Sequence, residues 1–160
     1  MEEELEIAAF NLEPEIASLL VEASDEAEVL LLPESLGDGR VQYREHLQSA
    51  KKELARLGVP ADFVGAPDDR RFRSEYSASD IALQLVLGIA SNASWASIQG
   101  TGTYVRDLAN RLGARLILLK IVRFERADGL VVEGLEFRGP ATAVSAQILR
   151  ELFDGNAPSE

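Results

Sequence analysis

The stretch "APDDRRFRSEY" sets Asp68 and Asp69 directly against Arg70, Arg71 and Arg73. Carboxylates beside guanidiniums can hold a phosphate or a sugar, or move a proton, because hydrogen bonds between ionised groups are short and strong. A second polar loop, "ESLGDGR", carries Glu34, Ser35, Asp38 and Arg40. Each loop follows a segment that reads as a strand, and open α/β sheets bind ligands outside the carboxyl ends of their strands. The two loops therefore form the candidate ligand site. Glu34, Asp38, Asp68 and Asp69 would be acids or ligand contacts, and Arg70, Arg71 and Arg73 anion clamps. The competing reading is two solvated loops whose charges pair locally, as surface charges commonly do at little gain.

Other chemistry is thin. His46, beside Glu45, is the only histidine, so a zinc-protease helix with two histidines four residues apart cannot form. A Ser/His/Asp triad would have to recruit the same histidine, and no serine sits in a Gly-x-Ser-x-Gly elbow. There is no cysteine, which removes disulfides and thiolate metal ligands. No metal site and no cofactor are expected. "QGTGTYV" places Gly100 and Gly102 ahead of a helix, but the third glycine of a dinucleotide fingerprint is replaced by Val105 and the preceding segment reads as helical. The stretch reads as a break between two helices capped by Thr103, with a helix start whose N–H groups could hold an anion.

The elements that must position these residues follow from apolar patterning. Leu5 to Phe10 suits a first strand, "LEPEIASLLVEA" a helix with Pro14 in its first turn, and "AEVLLLP" a strand buried on both faces. "ESLGDGR" reads as a loop. From Val41 to Gly58 the spacing of Val41, Leu47, Ala50, Leu54 and Leu57 predicts one long helix stopped by glycine. "VPADFVG" is a short strand, and "APDDRRFRSEYSAS" is irregular. Two strands, "RLILLKIVRFER" and "LVVEGLEFR", flank the turn signal Asp128-Gly129. Pro140 would start a last helix.

Between Asp80 and Arg106 there is no charged residue. A membrane span needs about 20 predominantly apolar residues, and here Gln84, Ser91, Asn92, Ser94, Ser97 and Gln99 interrupt. The aliphatics from Ile81 to Ile89 go almost all the way round a helix, so a core helix from about Ser79 to Ala96 is expected. Its small residues, with Gly88 and Ser91 among them, would admit a second backbone, and Trp95 would anchor either the core or a dimer contact.

The fold class is therefore α/β: a mixed sheet of about five strands flanked by helices, ending in an antiparallel hairpin plus helix, with an α+β sandwich as the alternative. Residues 1–154 form one domain and 155–160 a disordered tail. The start "MEEELEIAAF" is acidic where a signal peptide is basic and then apolar, giving a cytoplasmic expectation. A net charge of −11 from 16 basic and 27 acidic residues makes nucleic acid and anionic lipid unfavourable partners. The expected function is a non-enzymatic protein-interaction or regulatory accessory module, with a homodimer among its expected forms, acting through its acidic surface or the edge of the hairpin. Gly88, Ser91 and Trp95 are the interface candidates. The alternative is a small-molecule or nucleotide-binding enzyme or sensor using Glu34–Arg40 and Asp68–Arg73.

Overall fold

A computed structural model describes residues 6–20, 27–33, 35–37, 40–65, 68, 70–73, 82–125, 131–140 and 143. Strand β1 (Glu6–Ala9) leads into a short helix α1 (Pro14–Ala17) and a 3₁₀ turn. Then come β2 (Val29–Leu31), β3 (Ser35–Gly37), β4 (Arg40–Arg44), α2 (Ala50–Arg56), β5 (Ala61–Phe63) and β6 (Arg70–Arg73). The second half is β7 (Ala82–Ala90), the long helix α3 (Trp95–Leu112), β8 (Leu116–Phe124) and β9 (Val131–Pro140).

Six strands form one mixed sheet in the order β1-β9-β8-β7-β2-β5, and β3-β4-β6 form a second. In the large sheet β2 runs parallel to β5 and β7 parallel to β8, while β1–β9, β8–β9 and β2–β7 are antiparallel. This is the mixed α/β sheet expected from the sequence, with six strands in place of about five. Alternation along the strands divides the core. Val29, Leu31, Leu85, Leu87, Ile89, Ile117, Leu119 and Ile121 join residues of α2 and α3 on one side. Leu30, Leu32, Ala90, Val122 and Phe124 join Phe10, Leu12 and Leu20 on the other.

The uncharged window is the main correction. Within the expected helix over 79–96, residues 82–90 are instead β7, paired with β2 on one side and β8 on the other. A helix buried all round and a central strand buried on both faces leave the same mark in a sequence, a continuous apolar run. The expected break at Gly100 and Gly102 is the interior of α3. The helix starts at Ser94, whose side chain accepts the Ser97 N–H, and ends at Gly113 with φ 72°. A left-handed residue there is the usual way to stop a helix. Glycine at 100 is required by packing: a Cβ would overlap Cγ2 of Val59 and sit 3.1 Å from the Leu57 carbonyl.

Other boundaries move as well. Residues 41–44 of the expected long helix belong to β4, followed by a 3₁₀ turn at Glu45–Leu47 that contains His46, and only Ala50–Arg56 is α-helical. The expected loop "ESLGDGR" contributes β3, and the expected irregular segment contributes β6. Pro140 ends β9, opposite Leu116. The expected edge of the C-terminal hairpin is internal, because β8 lies between β7 and β9, and β9 pairs with β1. The turn at Asp128-Gly129, the last helix and the tail lie outside the described residues, apart from Ala143. No helix among the described residues is long and apolar enough to cross a membrane.

These assignments separate two substitutions on α3. Gly100→Ala should lower stability by up to about 2 kcal/mol, because overpacking costs about 1–3 kcal/mol against the roughly 1 kcal/mol that alanine gains in a helix. Thr103 is exposed within the helix, so Thr103→Ala should leave stability unchanged or slightly raised. Urea denaturation of both variants checks this, and a marked loss for Thr103→Ala would restore its role as a cap.

Candidate functional site

The two polar loops leave the same side of the large sheet. β2 and β5 are neighbouring parallel strands, with Val29 opposite Ala61 and Leu31 opposite Phe63. Their carboxyl ends are held together by one side chain, Tyr43 of β4. Its hydroxyl donates to the Leu31 carbonyl at 2.7 Å, lies 3.1 Å from the Val64 carbonyl, and accepts the Val64 N–H at 3.2 Å. Tyr43 is fully buried. Its ring meets Phe63 edge-on at 5.0 Å and stacks on Phe72 of β6 at 5.6 Å. These contacts join the small sheet to the large one at the place where the candidate loops begin.

Arg70 belongs to the same construction. Its Nε donates to the Gly65 carbonyl at 3.0 Å and its Nη2 to the Phe63 carbonyl at 3.3 Å. The guanidinium carbon lies 5.3 Å from the centre of the Phe63 ring, within cation–π range. Arg70 thus already has main-chain acceptors and an aromatic face. Asp68 and Arg71 are exposed, and Arg73 lies on β6. Glu34, Asp38 and Asp69 lie outside the described residues.

Of the interface candidates, Gly88 is buried within the large sheet, where a Cβ would touch the Phe124 ring and Leu30 at ordinary contact distance. Ser91 is half-buried, and its N–H donates to the Phe124 carbonyl at 2.7 Å. Trp95 begins α3 and is 39% exposed. That exposure departs from the core anchor that is one of its two expected roles. The strand-to-helix change explains the difference, because Trp95 falls beyond the end of β7 on the first turn of the next element.

The start of α3 also settles the anion question raised by "QGTGTYV". One oxygen of the Glu28 carboxylate accepts the Ser94 N–H at 2.9 Å and the Ser97 hydroxyl at 2.6 Å. A carboxylate is the charge that a helix N-terminus favours, so this chain supplies its own. Thr101, also buried, returns its hydroxyl to the Ser97 carbonyl at 2.7 Å. No spacing rule could have joined Glu28 to Ser94 and Ser97, which are 66 and 69 residues away.

On the far side of α3, Arg111 grips Glu53 of α2 with two hydrogen bonds of 3.0 and 3.3 Å, and Ser49 adds a third at 2.8 Å. Burial pushes the Glu53 carboxyl up, but these bonds outweigh it and hold the group below its usual range. Tyr104, on α3, is buried with a hydroxyl that has no hydrogen-bond partner among the described residues. Burial drives the ionisation of both Tyr43 and Tyr104 well above the ordinary phenol value.

A separate cavity of about 160 Å³ is lined by Phe10, Leu12, Glu13, Ile16, Val86 and Lys120, among others. The Lys120 ammonium lies 5.6 Å from the centre of the Phe10 ring. Among the described residues, no group of three acidic or histidine side chains is placed to hold a metal ion. No protein-family model, curated protein or solved structure matches the chain.

The two tyrosines should respond oppositely to loss of the hydroxyl. Tyr43→Phe leaves buried main-chain groups short of a partner and should cost about 1–3 kcal/mol, whereas Tyr104→Phe removes an orphan and should be neutral or stabilising. Both groups stay neutral in the folded chain at a pH where the unfolded chain ionises. Their contribution is thus complete below about pH 10, the ordinary value, and is lost as pH rises above it. Urea midpoints should fall on that alkaline side, and less steeply for Tyr43→Phe. An equal alkaline loss in wild type and variant would contradict the assignment.

Proposed function

We propose that this chain is a non-enzymatic protein-interaction module that self-associates through strand β1. The supporting observation is the position of β1: it ends the six-stranded sheet, and all four of its residues are exposed. Ile7 is 50% exposed. A sheet edge with free main-chain groups and an apolar surface is a template for pairing with another chain. Phe10 donates its N–H to the Gly134 carbonyl at 3.2 Å. By alternation Ile7 and Ala9 then turn their N–H groups away from β9, toward a partner.

A second copy is the simplest occupant, since two-fold dimers are the commonest oligomers. An antiparallel pair centred on Ala8 would set Ile7 opposite Ala9, whose outward main-chain groups then bond, and Glu6 opposite Phe10, keeping the two copies of Glu6 apart. The net charge of −11 works against less specific association. A regulatory or accessory role in the cytoplasm fits this reading. The second reading, a ligand site in the two loops, draws support from the side-by-side carboxyl ends of β2 and β5.

Light scattering at several concentrations tests the first reading. Wild type should approach twice the 17.4 kDa chain mass. Ile7→Lys and Ala9→Pro, which alter the outer edge while sparing the β9 ladder, should be folded monomers. A wild-type chain that stays monomeric, or variants that dimerise as well as wild type, would remove β1 as the interface. A thermal shift with a phosphorylated or sugar ligand that is abolished by Asp68→Asn would then favour the loop site.

A further inference from the structure

The small sheet collects positive charge that the linear sequence scatters. Along β4 the residues are Arg40, Val41, Gln42, Tyr43 and Arg44. Val41 and Tyr43 are buried, so strand alternation puts positions 40, 42 and 44 on the opposite face. β6 pairs parallel to β4, with Arg71 opposite Gln42, Phe72 opposite Tyr43 and Arg73 opposite Arg44. Phe72 stacks on Tyr43, and positions 71 and 73 therefore share the outer face with 40, 42 and 44. β3 adds Ser35, opposite Gln42, and Gly37, opposite Arg40.

Four of the chain's 16 basic residues thus fall on one face of a three-stranded sheet. Among the described strand positions there, none is acidic, in a chain with 27 acidic residues. Like charges directly opposite one another, as at Arg44 and Arg73, destabilise a sheet.

We propose that this face and the outer edge of β6 bind an extended acidic segment of a protein, added as a strand beside β6. β6 ends the small sheet, with no strand described on its other side. An added strand brings side chains on one face at a repeat of about 6.6–6.8 Å, the same repeat that separates positions 71 and 73. Carboxylates at every second residue of the incoming segment would therefore fall in register beside positions 71 and 73, on the face that also holds positions 44 and 40. The match is one of both charge and period. Single-stranded nucleic acid also carries regularly spaced anions, but binding it calls for aromatic faces on which bases stack. The aromatic residues of these strands, Tyr43 and Phe72, lie on the inner face. This proposal concerns a different edge from β1 and does not depend on self-association.

Fluorescence anisotropy of the full chain with a labelled heptapeptide, Glu-Thr-Glu-Thr-Glu-Thr-Glu, tests it. The peptide should bind, with an affinity that falls as salt is raised. A control of the same composition with its glutamates in one block should bind at least about tenfold more weakly, the scale of a single well-placed ionic contact. Arg71→Thr/Arg73→Thr should weaken the alternating peptide by a similar or larger factor, while Arg71→Lys/Arg73→Lys should retain most of the binding. Circular dichroism confirms that each variant is folded. Absence of binding, equal binding of the two peptides, or unchanged binding by the threonine variant would overturn the proposal. So would equal or tighter binding of an oligothymidylate of matched charge, which would make the face a nucleic-acid surface. If the threonine variant fails to fold, the comparison of the three probes on wild type still decides.

Discussion

The buried hydroxyl of Tyr43 holds the two sheets in their relation to one another. It bonds main-chain groups of Leu31 and Val64 at the ends of β2 and β5, beside the direct bond of 3.3 Å from the Val64 N–H to the Leu31 carbonyl. The ring above it packs between Phe63 and Phe72. A buried tyrosine combines a large apolar body with one polar end that needs partners, and here the body belongs to one sheet and the partners to the other. Val41 and Tyr43 face inward because of this contact, and strand positions 40, 42, 44, 71 and 73 fall on the outer face as a consequence. Arg70 strengthens the joint by bonding the carbonyls of Phe63 and Gly65.

A second junction fixes the helices. α3 approaches the α2–β5 connection closely enough that only glycine fits at position 100. Glu28 reaches the first turn of α3 from just before β2, and Arg111 ties its last turn to Glu53 of α2. The Glu53–Arg111 pair is partly exposed, so it contributes at most about 1 kcal/mol and orients more than it stabilises. Helix position thus depends on one steric fit in the middle and one charge contact near each end.

The surface that results differs from what the net charge suggests. The acidic balance holds for the chain as a whole, yet the small sheet gathers arginines on one face, and β1 presents an almost uncharged edge. β1 and β6 each end a sheet, and β4 lies between β3 and β6. Composition averages over such local segregation, and only the pairing of β4 with β6 and of β1 with β9 makes it visible.

The sequence by itself determined the α/β class and the strands β1, β2, β5, β8 and β9. Those segments are apolar runs bounded by strong local signals, and their conformation needs no distant partner to be read. The tertiary structure decided that residues 82–90 are a strand and 95–112 one helix, because an apolar run with no polar face suits either state until its neighbours are known. It also decided that 40–44 is a strand. "RVQYR" continues into a helical pattern at Leu47, Ala50 and Leu54, and only the reach of the Tyr43 hydroxyl to Leu31 and Val64 separates the two. The candidate residues of the two loops were legible as types, since charge clusters are visible in a sequence. The arginine face was not, because it requires the parallel register of two strands 30 residues apart, in which Val41 stands opposite Arg70.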